Sequence, residues 1–170
     1  MAEACAERGY AQTSVAEVAK RAGVSSLTFY KQFAGKGDCM LAAHRQLLGR
    51  LLEEVDRASA VESAAEAQPR VALDTALALF AADPPSARLL TVEILAAGPE
   101  GARRHDAMVG AFAARLRGAG VRGEEAAVPI GDWVRAAGLL ALVGRLVVAG
   151  EAERLPQLAG ELVATVEIPA

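Results

Sequence analysis

Gly9-Tyr10-Ala11-Gln12-Thr13-Ser14-Val15-Ala16-Glu17-Val18-Ala19-Lys20-Arg21-Ala22-Gly23-Val24-Ser25-Ser26-Leu27-Thr28-Phe29-Tyr30-Lys31-Gln32-Phe33 is the stretch that decides the fold. Ser14 and Glu17 stand at the S-x-x-E spacing of a capping box, so a helix begins at about Val15. Val15, Val18 and Ala19 form its apolar face. Lys20 and Arg21 fall near its C-terminus, where the helix dipole favours cations, and Gly23 ends it. Ser25 then caps a helix over residues 26–33, with Phe29 and Phe33 turned inward at i and i+4 and Val24 packing from the turn. Helix, tight glycine turn, helix is the spacing of a helix-turn-helix.

Upstream, residues 2–8 are helix formers stopped by Gly9, where a positive φ is wanted. Downstream, after Gly35-Lys36-Gly37, Asp38 is placed to cap a long helix running to about residue 59. Met40, Leu41, Leu47, Leu48, Leu51, Leu52 and Val55 recur along it at three- and four-residue intervals. A polar stretch over 59–69 follows, and Pro69 suits a helix start. Further helices are expected at about 70–82, 86–97, 100–118, 129–149 and 154–166. Asp83-Pro84-Pro85, Gly98-Pro99, Gly118-Ala119-Gly120 and Gly150 separate them. With 39 alanines in 170 residues and only 16 Gly and 7 Pro, long helices fit between the breakers and sheet architectures do not. The expected fold is all-α: an N-terminal three-helix helix-turn-helix head, residues 1–45, joined by a long helix to a C-terminal helical bundle within residues 46–170.

Charge is divided along the chain. Residues 1–50 hold seven Lys/Arg against four Asp/Glu, and the remainder eleven against seventeen, for −3 overall. A basic head on an acidic body suits a polyanion at one end only. Cys5 and Cys39 make no disulfide framework and no zinc spacing, which fits a reducing cytoplasm. The start is charged and lacks the apolar core of a signal peptide. The most apolar run, 136–149, is flanked by Arg135 and broken by Arg145, short of the roughly 20 apolar residues of a membrane span. No metal site, cofactor motif or catalytic constellation is expected: there is no HExxH, no phosphate-cradling glycine loop and no di-iron ExxH pair. His44, His105, Cys5 and Cys39 read as packing or surface residues rather than ligands or sensors.

The outward positions of the third helix carry the functional signal. Ser26, Leu27 and Thr28 occupy the N-terminal turn that enters a major groove, where hydroxyls meet base edges and Leu27 can touch a thymine methyl. Tyr30, Lys31 and Gln32 lie farther along, better placed for phosphate oxygens. Lys36 stands beside the next helix's N-terminus, and Ser14 with the first amides of the second helix can grip a flanking phosphate.

Gly9-Tyr10-Ala11-Gln12-Thr13-Ser14-Val15-Ala16-Glu17-Val18-Ala19, then Ala22-Gly23-Val24-Ser25, then Thr28-Phe29-Tyr30-Lys31-Gln32-Phe33 and Lys36, closely resemble the TetR family of transcriptional regulators, over about residues 1–45. The resemblance implies a homodimer on a pseudo-palindromic duplex DNA operator, usually a repressor, released when a small molecule binds the body. It implies Ser14, Ser26, Leu27, Thr28, Tyr30, Lys31 and Lys36 as the DNA-facing set. It also implies dimerisation through the two C-terminal helices, about 129–149 and 154–166. Their Ile130, Trp133, Val134, Leu139, Leu140, Leu142, Val143, Leu146, Val147 and Val148, then Leu155, Leu158, Leu162, Val163 and Val166, offer more apolar surface than one bundle needs. Gly138 and Gly144 would allow close approach. Phe80, Glu93, Met108, Phe112 and Trp133 come from the helices that surround the ligand cavity in such proteins, with Glu93 as a polar anchor.

Two features depart from the family pattern. Leu27 stands where glycine is usual, which changes what the helix meets. The family's first helix is about twice as long and preceded by an arm; here its last turns remain, through a misassigned start or a truncated chain. The underside of the head is then expected to be less well covered, the head less stable and its DNA binding weaker. The alternative function is a helical small-molecule-binding dimer whose head is vestigial or binds protein.

Overall fold

The computed structural model describes residues 1–118 and 128–166, with side chains through Leu162. Among these the architecture is all-α. The helices are α1 (Ala2–Gln12), α2 (Val15–Arg21), α3 (Ser26–Gln32), α4 (Lys36–Val61), α5 (Gln68–Ala82), α6 (Pro84–Thr91), α7 (Gly98–Leu116), α8 (Ile130–Val148) and α9 (Ala159–Val166). Two 3-10 segments, Glu93–Ala97 and Ala152–Leu158, precede α7 and α9. Ala119, Gly120 and the side chains of Val163 and Val166, all used in the sequence reading, lie outside the described residues.

The local signals act through identifiable atoms. The Ser14 hydroxyl accepts the Glu17 N–H at 3.2 Å, and the Ser25 hydroxyl accepts that of Thr28 at 3.0 Å. Each satisfies one of the donors that a helix start leaves open. Glu17 does not close the capping box. Its carboxylate faces Arg8 at 3.8 Å and Arg21 at 3.6 Å instead. Gly9 adopts φ +75° and breaks α1, after which helical turns resume to Gln12.

Asp38 does not cap α4. The helix begins at Lys36 with Gly35 before it, and the Asp38 carboxylate reaches back from the first turn to the Ala34 N–H at 3.0 Å. Val24 stands exposed rather than packed. The expected helix over 86–97 divides at Val92 (φ −123°, ψ −60°) into α6 and a 3-10 segment, within a β-branched run, Thr91, Val92 and Ile94, of reduced helical preference. The start of the last expected helix is likewise 3-10, over Ala152–Leu158, with Pro156, which has no N–H to donate, inside it.

One large core organises the body. Leu51 and Val55 of α4, Leu73, Leu77 and Phe80 of α5, Met108, Val109 and Phe112 of α7, Leu139, Leu140 and Val143 of α8 and Leu155 belong to a single buried cluster. Phe80 stacks on Phe112 with centroids 6.0 Å apart. Arg115 of α7 donates from Nε and Nη2 to the two carboxylate oxygens of Asp56, both at 2.7 Å, tying α7 to α4. Gly144 serves this interior rather than a partner: a Cβ there would lie 3.0 Å from Val92 Cγ2 and 3.2 Å from Thr91 Oγ1, so the glycine lets α8 cross close to the end of α6.

The head has a smaller core of Ala4, Val18, Ala19, Phe29 and Cys39. A third cluster, Cys5, Met40, Leu89 and Ile94, joins α1 and α4 to α6 and the first 3-10 segment. The head therefore sits on the body through α1 as well as through the long α4.

Candidate nucleic-acid interface

Phe29 is the buried residue of α3 and holds the helix against the head. Around it Ser26, Leu27, Thr28, Tyr30, Lys31 and Gln32 are exposed, Leu27 at 70% and Tyr30 at 57%. Exposure of a leucine and a tyrosine to this extent, beside small hydroxyl residues and without an acidic group, is the surface a helix needs to enter a groove. Tyr30 keeps its ring edge-to-face on Phe29, with centroids 5.5 Å apart, which fixes its direction. The Thr28 hydroxyl lies 3.0 Å from the Ser25 hydroxyl, so the cap also orients a base-reading candidate. Ser14 is exposed at the start of α2.

Charge at this surface is selective. Arg21 is engaged by Glu7 and Glu17; the Arg21 hydrogen bond holds the Glu7 carboxyl below the usual range, and Glu7 raises Arg21 in turn. Lys20 and Lys31 are exposed with no ion pair among the described residues, leaving both ammonium groups free for phosphate. Lys36 is arranged differently from its companions. It is half-buried, its Nζ donates to the Tyr10 carbonyl at 2.7 Å and the Ala11 carbonyl at 3.3 Å, and it lies 4.2 Å from the centre of the Tyr10 ring. Six of the seven expected DNA-facing residues thus stand open, while Lys36 is turned onto α1.

The expected ligand residues do not form one site. Phe80, Met108 and Phe112 are buried in the body core and Trp133 is half-buried against it. Glu93 lies elsewhere. Its carboxylate, almost fully buried, accepts the Tyr10 N–H at 2.6 Å and Arg88 Nε at 2.8 Å, at the junction of head and body. A polar anchor for a ligand beside Phe112 is therefore not what Glu93 supplies. The body does open in a cleft of about 190 Å³ between α4, α5 and α6, lined by Leu47, Leu51, Leu79, Phe80 and Leu90 together with Arg50, Glu54 and Asp83. Of the five expected residues Phe80 lines it. Arg50 is exposed with no ion pair among the described residues.

Sequence reasoning missed Arg88 and Thr13. Arg88 bonds backbone across the junction, and Thr13, buried, donates between the Ala4 and Gly9 carbonyls at 3.2 and 2.8 Å. Neither stands out in sequence, since the Ala6 carbonyl that Arg88 meets and the Ala4 carbonyl that Thr13 meets are main-chain atoms brought near only by folding.

A capped α2, a glycine turn and a capped, outward-facing α3 on a helical body make a helix-turn-helix. Residues 2–43 match the family described as bacterial regulatory proteins, tetR family. A curated relative, the fatty acid metabolism regulator protein of Bacillus subtilis (strain 168), is 28% identical over 81 residues, 48% of this chain and 42% of the relative, so the alignment spans less than half of that protein's length. Among solved structures, the fatty acid degradation regulator FadR from Bacillus halodurans superposes with a TM-score of 0.81 at 20% identity, covering 97% of this chain and 92% of that one. FadR from Bacillus subtilis, solved in complex with stearoyl-CoA, gives 0.80 at 21% identity with the same coverage. PfmR from Thermus thermophilus, a TetR family regulator, gives 0.65 at 18% identity over 96% of this chain and 94% of that one. These structural likenesses establish the fold. Among the described residues no helix is long and apolar enough to cross a membrane.

Proposed function

We propose that this chain is an effector-responsive repressor that binds a pseudo-palindromic DNA operator as a homodimer, with residues 1–45 as the DNA-binding part and residues 46–170 as the effector-binding and dimerisation part. The observation that carries the reading is the exposed row on α3, hydroxyls and Leu27 at its N-terminus and a free lysine beyond, on a helix anchored by buried Phe29. Ser26, Leu27 and Thr28 read bases; Ser14, Tyr30 and Lys31 hold phosphates. Lys36 reaches a phosphate with an N–H left over from its two carbonyl partners. The cytoplasm is the compartment for such a role, and no catalytic step is assigned.

Dimerisation is supported by α8. Ile130, Val134 and Val148 are 78%, 57% and 52% exposed, and with exposed Gly138, Ala141 and Arg145 they fall on one stripe of the helix. An apolar stripe interrupted by small residues suits a two-fold helix pairing. Leu139, Leu140, Val143, Leu146 and Val147 belong to the chain's own core instead. For the effector, the similarity to FadR, one structure of which holds stearoyl-CoA, favours a long-chain fatty acyl thioester, its acyl chain meeting the apolar wall of the cleft with Phe80.

The test measures fluorescence anisotropy of labelled duplex DNA with the full chain at two salt concentrations, with and without stearoyl-CoA. The expected result is binding that weakens steeply with salt and is reversed by stearoyl-CoA. A salt-insensitive complex, or no binding at low salt, would return the head to a protein-binding or vestigial role.

A further inference from the structure

The break in α1 at Gly9 leaves backbone groups that the helix cannot pair, and the body completes them. Arg88 Nη1 donates to the Ala6 carbonyl before the break at 2.9 Å, and the Tyr10 N–H after it donates to Glu93 Oε2 at 2.6 Å. Arg88 Nε donates to Glu93 Oε1 at 2.8 Å, closing the pair on itself. The Glu93 side chain is 8% exposed, so little water competes for these bonds. On the far side of the same break, the Tyr10 and Ala11 carbonyls take the Lys36 ammonium at the first residue of α4, a few residues beyond the end of α3. A continuous polar chain thus runs from α6 through the broken end of α1 to the joint between α3 and α4. Arg88 shares its short helix with Ala87 and Leu90, both of which line the 190 Å³ cleft.

From this geometry we infer that Arg88 and Glu93 are positioning residues for DNA binding: the ion pair holds the end of α1, α1 holds Lys36, and together they set the recognition helix relative to the body. Resting on the effector reading above, occupation of the cleft displaces α6 and loosens this chain at the Ala6 and Tyr10 bonds. The coupling route is α1, not the length of α4 alone. The pair is a good carrier because Glu93 is almost fully buried, Arg88 is half-buried and their partners across the junction are backbone atoms, so a small shift of α6 breaks bonds rather than stretching a soft apolar contact.

Hydrogen exchange on the full-length chain tests the inference. In the double variant Arg88→Met/Glu93→Leu, which removes both charges together, the amides of residues 10–13 and of α3 should exchange about tenfold faster or more, with α5 and α8 keeping wild-type protection. Lys36→Met should loosen the start of α4 and α3 while leaving α6 unchanged. An unchanged α3 in the double variant, or equal loosening of α3, α5 and α8, would overturn the positioning role. Stearoyl-CoA added to the wild-type chain should protect α5 and α6 near the cleft and speed exchange in residues 10–13. Protection at the cleft with no change in α1 and α3 would overturn the coupling and leave the effector reading intact. With no protection at all the effector reading falls, and the positioning role is then decided by the variants.

Discussion

Head and body are both helical, yet they use residues in opposite ways. The head's cluster is Ala4, Val18, Ala19, Phe29 and Cys39, mostly small side chains, while the body draws Leu, Met, Phe and Val from five helices and a 3-10 segment into one cluster. The head keeps its large side chains Leu27 and Tyr30 outside, where a partner can meet them. Apolar burial scales stability at about 25 cal/mol per Å², so the body has a reserve that the head lacks. What the head has is order imposed by capping hydroxyls and by its polar attachment to α6. Stability and recognition are therefore separable by mutation.

The largest effect should come from the body. Phe112→Ala removes a ring stacked on Phe80 and buried on all sides, with an expected loss of about 3–5 kcal/mol. Denaturant melts followed by circular dichroism measure it, and DNA binding per folded molecule should stay at the wild-type value. A selective loss of DNA affinity in a fully folded Phe112→Ala protein would blur the division.

The next effect lies where the regions join. His44 on α4 is buried, and its Nε2 has no hydrogen-bond partner. Burial first, then the charges of Arg104 and His105, push its pKa down to about 4. A histidine lowered on folding is protonated in the unfolded chain before the folded one, so stability is complete above about pH 7 and falls as pH drops from about 6.5 toward 4. The loss attributable to His44 should be on the order of 2–3 kcal/mol across that window. Melts at a series of pH values on the wild type and His44→Leu check it; the variant should show a flatter slope below pH 6.5.

Smaller effects belong to the head. Ser25→Ala removes the α3 cap and the neighbour of the Thr28 hydroxyl; a cost of about 1 kcal/mol is expected, read as faster amide exchange confined to α3. Lys31→Ala should lower DNA affinity evenly across sequences and reduce the salt slope by about one unit, whereas Thr28→Ala should shift sequence preference with the slope preserved. Interchanged outcomes for these two would break the assignment of phosphate and base roles.

Much of the head was legible because its determinants are local. Ser14, Gly23 and Ser25 act on atoms within four residues of themselves, and the structure finds each at work. The body's helices were readable from apolar spacing, but their interruptions depended on Val92 and Pro156, where periodicity continued while the backbone did not. Glu93 stands in the sequence as a lone carboxylate between Val92 and Ile94. Its partners, the Tyr10 amide and Arg88, could not be read, since one is 83 residues away and is a main-chain group. Gly144 was similarly ambiguous: a glycine in an apolar helix announces a close neighbour without saying which chain supplies it.

The central claim is that the exposed face of α3 reads duplex DNA in a two-fold arrangement. Selection of random duplexes by the full chain, sequenced after rounds at two salt concentrations, tests it most directly. The account predicts an enriched palindrome whose half-sites lie one helical turn or a multiple of it apart, with recovery falling at the higher salt. Recovery of no common sequence at either salt, or of a sequence without two-fold symmetry, would contradict it.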